Sequence, residues 1–297
     1  MVASEVRTAA AAVRSAAFLR PVDLAQLGLS RYRVAALVAN GSLVRTRNGR
    51  YLRPEVHPAL ITASRYGGRL DCTSLAAAMG IFVRESRSLH VQLTPATTRL
   101  PPRPAHVVAH WRQSRAGRCD LAADLIEALA QACRCQRPRD AVATLDSAWH
   151  HGLVDESDIA EIFRRLPRRF RPVRRLLDRR SESGAETIMR LLLRGLGCSV
   201  EVQVAVTGVG RVDLIVDGWL IVECDSKAFH EGWEAQLRDR RRDMAAAALG
   251  YTTVRPVAED IYYRPDEVLA TMRAVVSHGP RAAKPLQNST EPKPIPT

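Results

Sequence analysis

The chain has 297 residues, 46% of them hydrophobic, enough for two or three cores and too apolar for a disordered chain. Lysine and arginine number 44 against 31 aspartates and glutamates, a net charge of +13, which points to a polyanionic partner. No apolar run approaches the roughly 20 residues of a membrane-spanning helix, so nucleic acid rather than a membrane is the expected partner.

Residues 1–19 are alanine-rich yet carry Glu5, Arg7 and Arg14, a pattern unlike a signal peptide. Six cysteines are scattered along the chain. Cys133 and Cys135 lack the paired CxxC spacing of a zinc site, so structural or incidental thiols and a reducing cytoplasm are expected.

Residues 19–53 read as a winged helix-turn-helix. A short helix starts at Pro21, Gly28 makes the turn, and Ser30 caps a second helix whose apolar stripe is Val34, Leu37 and Val38. Arg31, Tyr32 and Arg33 occupy its first turn, where a recognition helix meets base edges and phosphates. The runs 43–47 and 50–53, joined by Asn48-Gly49, form a hairpin wing, and Arg45, Arg47, Arg50 and Arg53 are placed to follow the phosphate backbone. The plainer reading is a small helical fold with a solvated basic rim.

Residues 58–112 look mixed. A helix over 73–79 and β-like runs at 89–93 and 107–111 are separated by Pro101-Pro102-Arg103-Pro104. His106 and His110 sit four apart in the second run without convergent partners, and are expected as core or surface histidines. Residues 120–180 read as helices with stripes at Leu121, Leu125 and Leu129, then Ala141, Leu145 and Ala148, then 158–166. Arginine occurs nine times from 164 to 180, opposed within the run by Asp178 alone. This run reads as either a solvated face or a phosphate track.

Ser183-x-x-Glu186 is a capping box that opens a helix ended by Gly197, and a strand over 200–206 follows. The runs 212–216 and 219–224 flank Asp217-Gly218, a hairpin signal, and are interrupted by Asp213, Glu223 and then Asp225. A strict two-residue loop pairs Val216 with Trp219 and splits Asp213 and Glu223 between faces. A bulged three-residue loop, Val216-Asp217-Gly218, pairs Asp213 with Ile221 and makes Asp213 and Glu223 diagonal neighbours roughly 7–8 Å apart on one face. The bulged loop is predicted. It lets the two carboxylates, with Asp225, converge on one Mg²⁺ or Mn²⁺ at about 2.0–2.1 Å, and their repulsion is expected to raise at least one pKa. A helix over 233–249 follows, with Leu237, Met244 and Ala248 inward and charges at Asp239, Arg240, Arg242 and Asp243 for local pairing. A strand over 251–257 and a helix over 266–276 close the fold, and a proline-rich tail from 279 is expected to be disordered.

Ser183-Gly-Ala-Glu186, Gln203, Gly210-Arg-Val-Asp213, Glu223-Cys-Asp225, His230, Asp239-Arg240, Arg242-Asp243 and Gly250-Tyr251 together resemble the very-short-patch-repair endonuclease-like branch of the PD-(D/E)xK restriction-endonuclease-like superfamily. The likeness spans residues 183–275. It departs from the pattern at the superfamily's lysine, which is Asp225 here, with Lys227 two residues on. More loosely, the amino-terminal part is similar to abortive-infection-type antitoxin proteins. The resemblance implies metal held by Asp213 and Glu223, and a glutamate of the first helix, Glu186, at the metal site beside its capping role. Asp225 or Glu186 then completes the shell. His230 is the candidate general acid or base, although it has a packing alternative beside Phe229. Lys227 is a replacement cation if the backbone shifts, and Arg240 or Arg242 a ligand for the scissile phosphate.

The expected architecture is therefore a multidomain α and α/β chain. It comprises a winged helix over 1–57, a small mixed region over 58–118, a helical arginine-rich connector over 119–180, a restriction-endonuclease-like mixed sheet flanked by helices over 181–278, and a tail over 279–297. The expected function is Mg²⁺- or Mn²⁺-dependent hydrolysis of DNA. The alternative is a non-catalytic DNA-binding regulator or antitoxin-like protein with a degenerate nuclease fold. On either reading the expected partners are DNA and a second copy of the chain or a toxin/antitoxin-type protein. A scaffold for an acidic protein would explain the charge but leave the buried carboxylates idle.

Overall fold

A computed structural model of the chain describes residues 3–225 and 233–279. Lys227, His230 and the expected tail beyond Gly279 lie outside the described residues. The chain forms two compact units, Met1–Leu191 and Leu192–Thr297, both mixing helices with small sheets. No helix among the described residues is long and apolar enough to cross a membrane.

The first unit opens with α1 (Ala3–Ser15), which buries Val6, Ala10 and Val13 at helical spacing. This helix was hidden in what reads as a merely alanine-rich stretch. Next come α2 (Pro21–Gln26), Gly28 at φ 76°, and α3 (Arg31–Ala39), whose first turn is capped by Ser30 Oγ accepting from the Arg33 N–H at 3.2 Å. The antiparallel strands β1 (Val44–Arg47) and β2 (Arg50–Leu52) turn at Gly49, φ 68°. Leu24, Val34 and Leu43 form a small core under these elements.

Then follow α4 (Pro58–Arg65), β3 (Arg69–Leu70), α5 (Cys72–Ala78), β4 (Leu89–Leu93) and β5 (Val107–Trp111), of which sequence pattern located α5, β4 and β5. β4 is the middle strand, antiparallel to β3 and parallel to β5. The helices α6 (Leu125–Cys135), α7 (Pro138–His150), α8 (Glu156–Arg165), the short α9 (Arg171–Arg174) and α10 (Gly184–Gly195) complete the unit, with α10 crossing its boundary. One apolar core joins Ala10 and Val13 to Leu52, Leu70, Val91, Leu129, Leu145 and Ile159. The segments 1–57, 58–118 and 119–180 thus share a core.

The arginine run is partnered more fully than its own sequence suggests. Arg164 and Arg165 pair with Glu161, Arg174 with Glu156 and Arg180 with Asp178. Beneath it lies a buried charge network. The Asp146 carboxylate of α7 accepts from Arg190 Nη2 at 2.7 Å, Thr187 Oγ1 at 3.0 Å and the Asp178 N–H at 2.8 Å. Arg190 and Asp146 are both fully buried, and Arg190 also donates to the Leu176 carbonyl at 2.8 Å.

The second unit is a four-stranded sheet in the order β6 (Val200–Val206), β7 (Gly210–Val216), β8 (Leu220–Val222), β9 (Thr252–Val254), with α11 (Trp233–Ala248), α12 (Ala258–Tyr263) and α13 (Pro265–His278). β6, β7 and β8 run antiparallel in turn, and β9 lies parallel to β8. Two expectations are corrected here. The β7–β8 loop is Asp217-Gly218-Trp219, not 216–218: Val216 pairs with Leu220, and Asp217 and Gly218 both take positive φ, 49° and 74°. The Asp217 side chain fixes that turn by accepting from the Ser199 N–H at 2.8 Å. Among the described residues of α11, Ala246 is the one fully buried and Leu237 is half-buried, while Met244, at 75%, and Ala248 are exposed. The face of α11 toward the sheet carries Arg242 and Asp243 one turn before Ala246, so its apolar periodicity is interrupted by charges with partners on the sheet.

Replacing Asp146 by Ala removes the carboxylate that buried Arg190 reaches at 2.7 Å. Chemical denaturation of the full chain is expected to report a loss of about 3–5 kcal/mol. A loss under about 1 kcal/mol, the level of a surface pair, would overturn the anchoring role of this network.

Candidate functional site

The strand register of the second unit aligns three polar side chains. Val202 opposes Leu214 and Val204 opposes Val212, so Gln203 of β6 faces Asp213 of β7. Leu214 opposes Val222, so Glu223, just past β8, continues the row on the other side of Asp213. The pair is thus directly cross-strand rather than diagonal, because the loop displaces the register by two residues and preserves the shared face. Asp213 accepts from the Cys224 N–H at 2.9 Å and from Gln203 Nε2 at 3.3 Å. Gln203 holds φ at 53°, a left-handed conformation uncommon for a residue with a side chain.

Glu223 lies between two guanidinium groups. Arg242 of α11 reaches Oε1 at 3.0 Å, and Arg255, just past β9, reaches Oε2 at 3.2 Å. Arg255 also meets Asp243 at 2.8 Å and Asp225 at 3.6 Å. Arg242 donates further to the carbonyls of Arg211 at 2.7 Å and Val209 at 3.1 Å. Burial pushes the Glu223 carboxyl above its ordinary range. Arg255 and Arg242 oppose that rise, and the charges of Asp213 and Asp225 add to it. Carboxylate repulsion is therefore present but secondary to desolvation. Burial also works against charged Arg255, but its bond to Asp243 and the Glu223 charge outweigh this and raise its pKa.

The other candidate residues have contacts of their own. Glu186 is buried in the first unit and caps α10: it accepts from the Glu182 N–H at 2.8 Å, while Ser183 Oγ accepts from the Glu186 N–H at 3.2 Å. Arg31, Tyr32 and Arg33 are exposed on the first turn of α3, Tyr32 at 87%. Arg45 donates to Asn48 at 2.7 Å, Arg50 covers the Phe18 ring at 4.7 Å, and Arg47 is anchored on the Arg99 carbonyl at 2.9 Å. Arg240 is exposed over the Trp233 ring at 5.4 Å, whereas Arg242 is committed to Glu223 and two carbonyls. Of the two, Arg240 keeps an outward face.

Sequence reasoning missed Arg255, which had no motif to mark it. It also misread His110. Nε2 of His110 lies 3.0 Å from His90 Nδ1 and 3.9 Å from Cys135 Sγ, and Cys72 completes a group whose four donor atoms lie within 4.8 Å of one another. His110 therefore does have convergent partners. They come from positions 72, 90 and 135, a spacing that matches no local metal motif.

Because burial raises the Glu223 pKa above its unfolded value, ionisation opposes folding between those two values, and the carboxyl contributes most stability when protonated. Glu223→Gln mimics the protonated form. It is expected to raise the thermal midpoint at pH 7, with the advantage vanishing below about pH 4.3, the ordinary glutamate value. A lower midpoint at pH 7 would mean that pairing with Arg242 and Arg255 outweighs burial.

No protein-family model matches the chain. Two proteins of Mycobacterium tuberculosis, uncharacterized protein MT2308 from strain CDC 1551 / Oshkosh and uncharacterized protein Rv2248 from strain ATCC 25618 / H37Rv, are each 30% identical to it over 262 residues. The similarity covers 82% of this chain and 95% of each relative, and it runs through both compact units. The chain belongs to the family of these mycobacterial proteins.

Proposed function

We propose that the protein is a DNA-directed, metal-dependent phosphodiesterase, with α2, α3 and the β1–β2 hairpin serving as a winged helix and the second unit as a restriction-endonuclease-like domain. The observation that carries this reading is the row Gln203–Asp213–Glu223 across three adjacent strands, with Asp225 two residues beyond. An all-oxygen pair of neighbouring carboxylates, one of them raised in pKa by burial and by its acidic neighbours, suits Mg²⁺ or Mn²⁺. Asp213 and Glu223 would hold the ion, which supplies Lewis acidity toward a phosphate oxygen and a more acidic bound water. The protein's own groups prepare the site. Gln203 and the Cys224 N–H orient Asp213, while Arg242 and Arg255 orient Glu223 from two sides. The exposed arginines of α3 and the hairpin supply phosphate contacts that position duplex DNA.

A second reading, a non-catalytic DNA-binding regulator, is favoured by one observation. Arg242 and Arg255 already supply positive charge to both oxygens of Glu223, and the superfamily's lysine position holds Asp225.

Incubation with plasmid and single-stranded DNA in Mg²⁺ or Mn²⁺ separates the two. The wild type is expected to nick DNA and to gain thermal stability from the metal, while Asp213→Asn loses both and still binds DNA. DNA binding by the wild type with neither cleavage nor metal stabilisation would favour the regulator. Docking is tested separately. Arg31→Ala with Arg33→Ala is expected to flatten the dependence of log affinity on log salt by roughly one unit per lost phosphate contact. An unchanged slope would move the DNA surface off α3.

A further inference from the structure

The first unit gathers two thiols and two imidazoles that the proposed chemistry does not use. Cys72 is the first residue of α5, His90 lies on β4, His110 on β5, and Cys135 is the last residue of α6. The parallel register sets Gln92 opposite His110 and His90 opposite Val108, so the two histidines are diagonal neighbours on one sheet face. Their facing nitrogens are 3.0 Å apart, the Cys135 sulfur is 3.9 Å from His110 Nε2, and one donor atom from each of the four residues lies within 4.8 Å of all the others. Zinc bound tetrahedrally at about 2.3 Å to sulfur and 2.0–2.1 Å to nitrogen separates its donors by roughly 3.3–3.8 Å. The observed spacings bracket that range.

A simple histidine–histidine hydrogen bond would explain the 3.0 Å contact but neither of the sulfurs. It would also leave Cys72 unexplained. That residue is fully buried and held at φ 55°, a conformation that costs free energy for any residue with a Cβ. The supporting contacts orient the donors. Asp71, buried before Cys72, donates its N–H to the His90 carbonyl at 3.0 Å and binds Arg112 at 2.7 Å. Ser74 Oγ accepts from the His90 N–H at 2.9 Å and donates to the Ser88 carbonyl at 3.0 Å. Gln131 Nε2 points at Cys135 Sγ from 3.3 Å. Such outer contacts fix ligand orientation in metal sites. A cleft bordered by Arg84, Arg87, Arg137 and Asp140 reaches His90 and Cys135 and offers an entry path.

We propose that Cys72, His90, His110 and Cys135 form a Cys₂His₂ site for Zn²⁺. Four protein donors close the coordination sphere, so the ion is structural and leaves no position for substrate. It ties the start of α5 and the end of α6 to β4 and β5. Binding replaces the thiol protons, which are released to solvent, so affinity falls on acidification. The site uses none of the second unit's carboxylates, and its test is independent of DNA cleavage.

Full-length protein purified with zinc under reducing conditions and then desalted is expected to retain about one zinc per chain by elemental analysis. Co²⁺ in its place is expected to give the thiolate charge-transfer and intense visible bands of a tetrahedral site. Chelation of the wild type is expected to lower its melting temperature. Cys72 is buried, so Cys135→Ser, at the exposed end of α6, is the primary variant. It should keep the wild-type circular dichroism while losing bound zinc and the response to chelator, whereas the control Cys119→Ser should keep both. Less than about a tenth of an equivalent in the wild type without a cobalt spectrum, full zinc retention by Cys135→Ser, or a Cys72–Cys135 disulfide in freshly purified protein would each overturn the proposal.

Discussion

The first unit depends on burying one charge pair correctly. Arg190 is among the largest side chains with no solvent exposure, and a lone guanidinium there would cost more than the surrounding apolar packing returns. Asp146 makes the position tolerable by accepting from Arg190, Thr187 and the Asp178 backbone at once. One carboxylate of α7 thereby holds the body of α10 and the end of the arginine-rich segment. Burial still dominates the Asp146 environment and pushes its pKa up to about 7, with Arg190 as the main opposing influence. The arrangement specifies where α10 packs better than any of the leucines around it, since an apolar contact is non-directional and a saturated carboxylate is not.

The second unit solves a related problem with a different geometry. Its sheet brings Asp213 and Glu223 side by side, and two arginines from separate elements converge on Glu223. Arg242 comes from α11 and Arg255 from the chain just past β9, so both helix and parallel edge strand are held against the acidic row. Charges on the sheet-facing side of α11 explain why, among its described residues, Ala246 alone is fully buried while Met244 faces solvent. The positive φ of Gln203 places a further local cost at the same row.

The Cys–His cluster belongs to a third kind of organisation. Its donors come from the start of one helix, the end of another and two parallel strands. A three-stranded sheet containing a two-residue strand has little ladder of its own. A tetrahedral ion gripping β4, β5, α5 and α6 supplies the kind of cross-link that small or irregular cores use to gain stability. The two units thus use charge in complementary ways: a buried pair and a proposed metal in the first, a carboxylate row with cationic clamps in the second.

Sequence by itself determined the local elements wherever one physical rule governs one stretch. Ser30 and Ser183 cap their helices because a hydroxyl has only the neighbouring amides to satisfy, and β4, β5, β6 and β7 are legible because apolar, β-branched runs fit a pleated, half-buried surface. Once the hairpin loop has three residues, it also puts Asp213 and Glu223 on one face, because the period of a strand is two and the parity survives a register displaced by two residues. Tertiary structure alone decided how these pieces are used. It set the loop at Asp217-Gly218-Trp219, turned the charged side of α11 inward, recruited Arg255 to Glu223 and Arg190 to Asp146, and drew Cys72, His90, His110 and Cys135 to one point. The side-chain contacts behind these outcomes join residues 12 to 63 positions apart in the chain. No local periodicity encodes such meetings, because the free energy of a buried charge or a shared ligand depends on which group arrives from elsewhere to satisfy it.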